Sequence, residues 1–416
     1  MNRVRVSRRF PFADRFRMSD EALVGAVDSR IEGTTVSHRR IFGRTVRIEL
    51  GGSAADRILR EELSLYPSAG RGERVDLVIR HPLGAVGDAR LVNPKSHTLL
   101  EDGFVATFSG SSVRFRFHGD ALREVAFTVG DGGRGWRRQL GRWRNVQFCT
   151  ADEAIGQIFH ELVLVPAIYF DSDRFLVHAS GVVAPDGRAI LFGGTGGVGK
   201  TSLELELCRG HRFRFLSDDI SVLSSDGTVW PNLAFPKIYA YNLEGDPELA
   251  REIFRGRPLV DRLQWRWRRR RGLARVRRRV SPERLYGSVQ TDGAPLARYF
   301  ILVREQRSSL DITPLDAETA AALSVRVMEA EYTVFHQHLV WYDFNRSVAG
   351  GADAHRPWST FERWKRQAVS VFSNVDCFLV RVPLTMEHRE LRQAMVAVVV
   401  EGREAATPSQ CSAVSN

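Results

Sequence analysis

Cysteine is scarce in this sequence, and the few cysteines lie far apart. The four are Cys149, Cys208, Cys377 and Cys411, and no C-x-x-C pair is present. A disulfide framework or a structural zinc site needs thiols that are paired or clustered along the chain. We therefore expect a protein of the reducing cytoplasm, without structural zinc.

Long apolar runs are also absent. No stretch approaches the ~18 consecutive apolar residues of a transmembrane helix, and the basic first residues, MNRVRVSRRFPFADRFR, are not followed by the apolar segment of a secretory signal. The sequence has no repeat of fixed period and no G-x-S-x-G motif. With 416 residues, of which 43% are hydrophobic, the chain can form a globular protein of two or three structural units. We expect no membrane partner.

Positive charge is in excess, with 60 Lys and Arg against 49 Asp and Glu and a formal net charge of +11. Much of the excess lies in the segment Arg262–Arg284, where arginines crowd around Trp265 and Trp267. This segment could be an arm that binds phosphates or an acidic partner. The interpretation we favour is a solvated or mobile insertion, residues 254–287, between core elements. Nucleic acid is not an expected partner, because no recognition fold or RNA-binding motif accompanies the charge.

The sequence pattern divides the chain into three parts. Residues 1–150 contain short alternating strands, RTVRIEL, RVDLVIR and SSVRFRF, separated by Gly, Asp and Ser turns. They predict a β-rich α+β unit that serves substrate recognition or another accessory role. Residues 151–400 alternate between helical and strand patterns and predict an α/β core. The polar residues 404–416 are expected to be disordered.

Two stretches near the start of the core have clear signals. The apolar spacing over Asp152–Phe170 is helical, and Pro166 should end or bend that helix. RFLVHASGVV and AILFGG then predict two strands, joined by a hairpin through Pro185, Asp186 and Gly187.

The second half of the core has further start signals. ARYFILVRE and DCFLVRVP predict strands, and helices should begin near Asp316 and Glu387. The spacing Ser359-x-x-Glu362 is typical of a capping box and predicts the start of another helix.

One short stretch, ILFGGTGGVGKTSLELEL, predicts chemistry directly. It has the order strand, glycine loop, helix, and its Gly194-x-x-x-x-Gly199-Lys200-Thr201 spacing is that of a Walker A loop, with Gly210 as the expected C-terminal cap. Glycines let backbone N–H groups converge on phosphate oxygens, the lysine reaches the β- and γ-phosphates, and the threonine hydroxyl can bind Mg²⁺. The predicted nucleotide-binding residues are Gly194, Thr195, Gly196, Gly197, Val198, Gly199, Lys200, Thr201 and Ser202.

Paired carboxylates follow the loop. Asp218 and Asp219, in RFLSDDISVL, end a predicted strand 18 residues after Lys200. Paired aspartates are common in turns and helix caps, but beside a phosphate loop one can orient Mg²⁺ and the other can accept a proton from an attacking hydroxyl. We therefore expect both at the site.

Four further residues have weaker signals. His178 precedes the loop strand and could lie near the γ-phosphate or the metal, or be a hydrogen-bonded core histidine. Lys237, in AFPKIY, could add a phosphate-neutralising charge or be a surface lysine. His336 and His338, in VFHQHLV, would share one face of a strand, which suits metal ligands, but no third ligand is apparent and a polar strand face explains them equally well.

The residues from His178-Ala179-Ser180 through GGTGGVGKTSLELELCRGHRF to LSDDIS resemble the HPr kinase/phosphorylase family. The resemblance covers about Leu162–Leu223, with a weaker similarity through Phe235-Pro236-Lys237 and the FILVRE strand. The chain is most similar to the HPr-kinase-related proteins of bacterial peptide-modification clusters, some of which phosphorylate serine in a precursor peptide.

This resemblance implies a P-loop fold shared with phosphoenolpyruvate carboxykinase and transfer of a nucleotide γ-phosphate to a serine hydroxyl. It implies that the loop cradles ATP and Mg²⁺, that Asp218 is the general base, that Asp219 is a metal or orienting carboxylate, and that His178 is a polar partner near the transferred phosphate. The sequence departs from the family in two places. The C-terminal arginine-containing signature has no match, and residues 1–150 do not resemble the regulatory domain, so the family's carrier protein is not the expected acceptor.

The main hypothesis is an ATP-dependent kinase, with GTP as the other nucleotide, that phosphorylates a hydroxyl, with serine in a peptide or protein as the expected acceptor. Lys200, Asp218, Asp219 and His178 are its expected catalytic residues, and Thr201 and Asp219 its metal ligands. A nucleotide-dependent switch or adaptor that uses the basic arm is the alternative, and a kinase of a small hydroxylated metabolite is a third. We leave open whether the protein forms a homo-oligomer.

Overall fold

The structure, a computed structural model, describes residues 34–70, 72–93, 96–108, 110–130, 151–350 and 357–401. These residues form a mixed α/β fold with two large mixed sheets and one short two-stranded sheet. The α/β class predicted from the sequence is therefore confirmed at this level. The predicted disordered tail, residues 404–416, lies outside the described residues.

The first large sheet has eight strands. They are β1 (Thr35–Ile41), β2 (Arg44–Leu50), β3 (Leu77–His81), β4 (Leu91–Asn93), β5 (His97–Leu99), β6 (Gly103–Phe108), β7 (Ser111–His118) and β8 (Ala121–Thr128). The spatial order is β1-β2-β3-β8-β7-β6-β5-β4. Among these strands β3 is parallel to β2 and β8, and the other neighbours are antiparallel. The predicted strands RTVRIEL and SSVRFRF correspond to β2 and β7.

The second large sheet carries the glycine loop. Its strands are β9 (Arg174–Val177), β10 (Ala179–Val183), β11 (Ala189–Gly193), β12 (Arg214–Ser217), β13 (Ser221–Ser224), β14 (Thr228–Trp230), β17 (Ala294–Glu305), β18 (Asp311–Pro314) and β19 (Asp376–Pro383). The order is β12-β10-β11-β17-β14-β13-β9, and β19 pairs with both β17 and β18. The loop strand β11 is antiparallel to β10, as the predicted hairpin requires, and parallel to β17.

The remaining elements connect and cover these sheets. The helices are α1 (Ala54–Ser64), α2 (Ala151–Ile158), α3 (Val165–Ile168), α4 (Lys200–Gly210), α5 (Pro247–Phe254), α6 (Leu259–Arg269), α7 (Pro282–Tyr286), α8 (Ala317–Glu331), α9 (Thr333–Val348), α10 (Pro357–Phe372) and α11 (His388–Val400). A π-helical segment, Phe159–Leu164, joins α2 to α3, and β15 (Lys237–Tyr239) pairs with β16 (Arg277–Arg279). Buried apolar residues from both large sheets form one continuous core.

The predicted helix starts are confirmed at two positions and wrong at a third. The Asp316 side chain caps α8 by accepting a hydrogen bond from Thr319 N at 2.8 Å, and Glu387 caps α11. Helix α10 instead begins at Pro357, so Ser359 lies inside its first turn and does not cap it. Proline suits a first helical position because its missing N–H would have no partner there. Gly210 is the last residue of α4 and does not follow it, because His211 is the cap residue.

The predicted strand RFLVHASGVV is two strands. It breaks at His178 into β9 and β10, which lie at different positions in the same sheet. Strand β9 pairs with β13, whereas β10 pairs with β11 and β12. Apolar residues continue through the break, so the sequence pattern gave no sign of it. The break puts His178 at the point where the chain changes its pairing partner.

Pro166 does not end the helix that contains it. The chain stays helical from Ala151 to Ile168, through the π-helical segment. Val165 N–H donates to His160 O, five residues back, which is the wider π pattern. Pro166 then falls in the first turn of α3, where the missing N–H is tolerated.

His336 and His338 lie on a helix, so the predicted strand is wrong. Both belong to α9, where residues two apart point to nearly opposite sides. His336 Nε2 lies 2.8 Å from the Tyr169 hydroxyl, and His338 stacks on His97 at 5.7 Å. Burial lowers the pKa of each histidine to about 4. The two imidazoles therefore do not form a shared metal site.

The basic segment is not a solvated insertion throughout. Helix α6 carries exposed arginines, but Arg277, Arg278 and Arg279 in β16 are buried. Arg278 is 1% exposed and pairs with Asp261 at 2.5 Å, and Arg279 binds both carboxylate oxygens of Glu62 at 2.7 and 3.0 Å. A buried arginine is tolerated when carboxylates and carbonyls satisfy its N–H groups. The second half of the segment is therefore part of the core.

None of the helices in the described part of the chain is long and apolar enough to cross a membrane.

Candidate active site

The glycine loop runs from the end of β11 to the start of α4. Gly194, Gly197 and Gly199 have φ angles of 120°, 82° and 117°, a region that residues with a Cβ rarely adopt. A Cβ on Gly194 would also lie 2.3 Å from Leu302 O of the neighbouring strand. The spacing of these glycines is thus required by the backbone path of the loop.

The loop forms one wall of a cavity of about 280 Å³. A Cβ on Gly196 or Gly197 would meet no other atom within 4 Å, so this part of the loop leaves room for a bound group. The start of α4 adds the positive end of a helix dipole, which favours anions. The other lining residues are Gly199, Lys200, Thr201, Ser202, Asp218, Asp219, Lys237, Tyr239, Tyr241, Asn242, Ala274 and Arg277. These residues fit a phosphate group with its metal ion.

Lys200 is buried, with 6% of its surface exposed. Its Nζ donates to the carbonyl oxygens of Gly194 at 2.7 Å and Thr195 at 3.0 Å. Burial lowers the pKa of Lys200, although Asp219 and Asp218 oppose the shift. The amine of Lys200 is thereby fixed against the loop that the sequence predicts to bind phosphate.

Asp218 is buried and hydrogen-bonded on both oxygens. Its Oδ1 accepts from Ser180 Oγ at 3.1 Å and from Thr201 Oγ1 at 3.0 Å, and its Oδ2 accepts from Lys237 N at 3.2 Å. Burial and the neighbouring charge of Asp219 nevertheless raise the pKa of Asp218. The bond to Thr201 joins the first turn of α4 to the turn after β12.

Asp219 has the opposite electrostatic environment. Its Oδ2 lies 2.6 Å from Lys237 Nζ, and its Oδ1 lies 3.1 Å from His178 Nε2. Desolvation would raise its pKa, but Lys237, His178 and Lys200 together hold the pKa well below its usual value. The Asp219 backbone has a φ of 72°, which is uncommon for a residue other than glycine. This turn directs the two neighbouring carboxylates to different partners.

His178 bridges the loop and the aspartate turn. Its Nδ1 lies 2.7 Å from Gly194 O and its Nε2 lies 3.1 Å from Asp219 Oδ1, so each ring nitrogen faces an oxygen acceptor. The side chain is only 6% exposed. Of the two interpretations of His178, the structure therefore favours a buried, hydrogen-bonded histidine, and it lies within the candidate site.

Lys237 is not a surface lysine. Its side chain is 17% exposed and forms ion pairs with Asp219 and with Glu161 of the π-helical segment. Burial would lower its pKa, but the charges of Asp219 and Glu161 raise it above its usual value. Lys237 is therefore a fixed positive charge at the cavity, and its role in neutralising a phosphate stays a prediction.

The residues at or near the site that were not found from the sequence include Glu161, Tyr239, Tyr241 and Arg277. Alternation in the strand Lys-Ile-Tyr puts Tyr239 on the same face as Lys237, a signal that could have identified it. Tyr241 stacks between Tyr239 and His388, with centroid distances of 5.3 and 5.1 Å, and forms an aromatic wall. Arg277 donates to the Tyr239 hydroxyl at 2.7 Å, and no local signal separates it from its arginine neighbours.

Within the described residues, no group of three or more His, Cys, Asp or Glu side chains is arranged to hold a metal ion. A magnesium ion bound with a nucleotide needs fewer protein ligands, because phosphates and waters complete its shell. Thr201 and Asp219, the predicted ligands, both line the cavity, and the hydroxyl of Thr201 is bonded to Asp218.

Comparison with known proteins does not assign the chain to a family. No model of a known protein family matches the chain, and no curated protein matches it. The chemistry of the site therefore follows from its own side chains.

Proposed function

We propose that the protein is an ATP-dependent kinase that transfers the γ-phosphate to a hydroxyl, with serine of a peptide or protein as the acceptor. The observation that carries this proposal is the hydrogen bond of 3.0 Å between Thr201 Oγ1 and Asp218 Oδ1. Through it the start of the loop helix and the aspartate turn meet in one cavity. The proposal includes an HPr-kinase-like P-loop core over residues 151–400 and GTP as the alternative donor.

The walls of the cavity support binding of a nucleotide phosphate. The loop offers backbone N–H groups at a helix start, and Lys200, Lys237 and Arg277 add positive charge. Thr201 and the ionised Asp219 are the oxygen ligands that we assign to Mg²⁺. The metal, when bound with the nucleotide, neutralises charge on the phosphate oxygens. The aromatic wall of Tyr239 and Tyr241 offers flat apolar surface for a base.

Different electrostatics support different roles for the two aspartates. Asp218 has a raised pKa and is the better proton acceptor for an attacking hydroxyl. Asp219 is held ionised by Lys237 and His178, which suits a charge beside a cation and not a base. His178 orients Asp219 by its contact of 3.1 Å.

A carboxylate positioned to accept a proton favours the kinase over a nucleotide switch, which needs a positioned water. Incubation with MgATP and serine peptides, followed by mass spectrometry, distinguishes a kinase from a nucleotide switch. Addition of one phosphate to a peptide supports transfer, whereas release of free phosphate alone supports the switch. Phosphorylation of small alcohols but not of peptides would support the third hypothesis, a metabolite kinase.

Substitution of the loop lysine is the sharpest test of the site. Lys200→Ala should lower the transfer rate at least about 100-fold, because it removes a charge aimed at the transferred phosphate. Lys365→Ala removes an exposed lysine of α10 and is the matched control, expected to keep the wild-type rate. An unchanged rate in Lys200→Ala, with the fold intact by circular dichroism, contradicts the proposal.

The aspartates should differ in a second measurement. Asp218→Asn should lower the maximal rate by about 10²–10⁴-fold with little change in the Mg²⁺ concentration required, since it removes the proton acceptor. Asp219→Asn should raise the Mg²⁺ concentration needed for half-maximal rate. If Asp218→Asn raised the Mg²⁺ requirement and Asp219→Asn lowered the maximal rate, Asp219 would be the proton acceptor and Asp218 the metal ligand.

A further inference from the structure

The outer part of the basic segment has no assigned role in the proposed transfer reaction. We name it the arginine surface, and its members are Arg266, Arg268, Arg269, Arg270, Arg271 and Arg275. Five of the six side chains are exposed, and Arg268 is half-buried.

The arginine surface carries charge that no carboxylate among the described residues neutralises. The sequence has no acidic residue between Asp261 and Glu283, and none of the six arginines forms an ion pair with a carboxylate within the described part of the chain. Burial and the nearby Arg271 and Arg275 lower the pKa of Arg268, so the positive charges repel one another. The buried arginines of the same segment, in contrast, have carboxylate or amide partners.

Apolar side chains lie beside this charge. Leu259, Val260 and Leu263 of α6 are 74%, 62% and 58% exposed, although large apolar side chains usually bury most of their surface. The Trp267 ring lies under the Arg271 guanidinium, with 3.8 Å from Cζ to the ring centroid. A partner that matches this surface must offer both negative charge and apolar groups. An acidic peptide with aliphatic residues offers both, whereas a nucleic acid backbone offers charge without the branched aliphatic side chains that would cover leucine and valine.

The arginine surface is continuous with the cavity wall. A short helical turn, Leu273–Arg275, follows the exposed arginines, and Ala274 and Arg277 line the cavity. A chain lying across Arg271 and Arg275 would therefore reach the mouth of the cavity within a few residues.

We propose that the arginine surface binds an acidic segment of the peptide or protein whose hydroxyl is phosphorylated in the cavity. This inference rests on the proposed kinase function for its final step, but the binding itself needs no nucleotide. The substrate class is then an acceptor with acidic and apolar residues near its serine.

Binding can be tested with two labelled peptides and the full chain. The probe is a fluorescein-labelled peptide of Glu, Leu and Gly with one Ser, and its counterpart has Gln at every Glu. By fluorescence anisotropy, the acidic peptide should bind at least about tenfold more tightly than the Gln peptide. The affinity should fall as salt rises, because exposed charges are screened.

A triple variant, Arg266→Gln, Arg270→Gln and Arg275→Gln, assigns the binding to this surface. The triple variant should lose the preference for the acidic peptide. For phosphorylation of that peptide, the variant should have a higher KM than the wild type and a kcat near the wild-type value. Arg188→Gln is the matched control, because Arg188 is exposed but pairs with Asp186 at the far end of β11 from the loop.

Three outcomes overturn the inference. The two peptides could bind equally, the control could lose as much affinity as the triple variant, or the variant could lose binding only to phosphatidylserine vesicles or to RNA. The kinase proposal is tested separately by ATP binding. If the wild-type protein binds the acidic peptide but not ATP, the inference about the arginine surface stands and the kinase proposal is contradicted. If it binds ATP but shows no preference for the acidic peptide, only the inference about the arginine surface is contradicted.

Discussion

Two neighbouring aspartates at the candidate site have pKa values shifted in opposite directions. Asp218 keeps both oxygens inside the protein, where donors from Ser180 and Thr201 do not outweigh burial and a like charge. Asp219 turns outward through its left-handed backbone and meets Lys237 and His178. The pKa of a carboxyl is set by these contacts and not by its position in the sequence.

Glu204 extends this electrostatic pattern into α4. Its side chain is fully buried, and burial and Asp218 raise its pKa well above the usual value of 4.5. An acid with a raised folded-state pKa is protonated in the folded protein at a pH where the unfolded chain ionises, so its contribution to stability falls as pH rises above about 4.5.

Glu204→Gln should therefore gain stability relative to wild type as pH rises. The amide keeps the shape and cannot ionise, so the difference in Tm between variant and wild type should increase from about pH 5 to about pH 8. The control is Glu206→Gln, whose side chain on the same helix is 41% exposed. A difference that stays constant across this range contradicts the assigned pKa direction.

The π-helical segment connects two parts of the molecule with two consecutive residues. His160 Nε2 lies 3.1 Å from Glu62 Oε2 of the first sheet's helix, and Glu161 pairs with Lys237 at the cavity. π-helical turns are frequent at functional sites because the wider turn changes where side chains point. The local geometry of this segment thus helps to hold Lys237 in place.

Replacing an arginine by alanine should change the stability of the protein by different amounts in the two halves of the basic segment. Arg278→Ala removes one of the two arginines that pair with the buried Asp261, while Arg257 stays in place, and should lower the free energy of unfolding by about 1–3 kcal/mol. Arg270→Ala removes an exposed arginine and should change it by no more than about 0.5 kcal/mol. Chemical denaturation of both variants measures the difference. Equally small losses in the free energy of unfolding for both variants would support the interpretation of the whole segment as a solvated insertion.

Buried polar contacts, as well as the core, join the part that carries the first large sheet to the rest of the molecule. Glu62 of α1 binds Arg279 of β16, two residues from Arg277 at the cavity. The Tyr66 hydroxyl accepts a hydrogen bond from Leu233 N at 2.9 Å. The part that carries the first sheet is thus attached directly behind the candidate site.

Acid should weaken this attachment. Burial opposes ionisation of Glu62, but Arg279 and His160 lower its pKa from 4.5 to about 2. A carboxyl with a depressed pKa contributes stability that is present above 4.5 and is lost as pH falls toward 2. Glu62→Gln should be about 3–5 kcal/mol less stable than wild type at neutral pH. Unfolding curves should show this difference shrinking below pH 4.5, and a constant difference contradicts the assignment.

Local signals in the sequence predicted much of the fold around the loop. The Walker spacing specified glycines at positions 194 and 199, and the structure has positive φ angles of 120° and 117° there. The caps at Asp316 and Glu387 and the strand ends around β11 were also predictable. These features depend on neighbours within a few residues, which the sequence displays directly.

The sequence by itself determined the glycine loop, the position of the aspartate pair after it and the α/β class, because backbone conformation and hydrophobic periodicity fix these locally. Only the tertiary structure decided the break at His178, the helix at His336, the partner of Lys237 and which arginines are buried. Each of these depends on contacts between residues far apart in the chain. The free energy of burying a charge is set by the partner it meets there, and no local pattern names that partner.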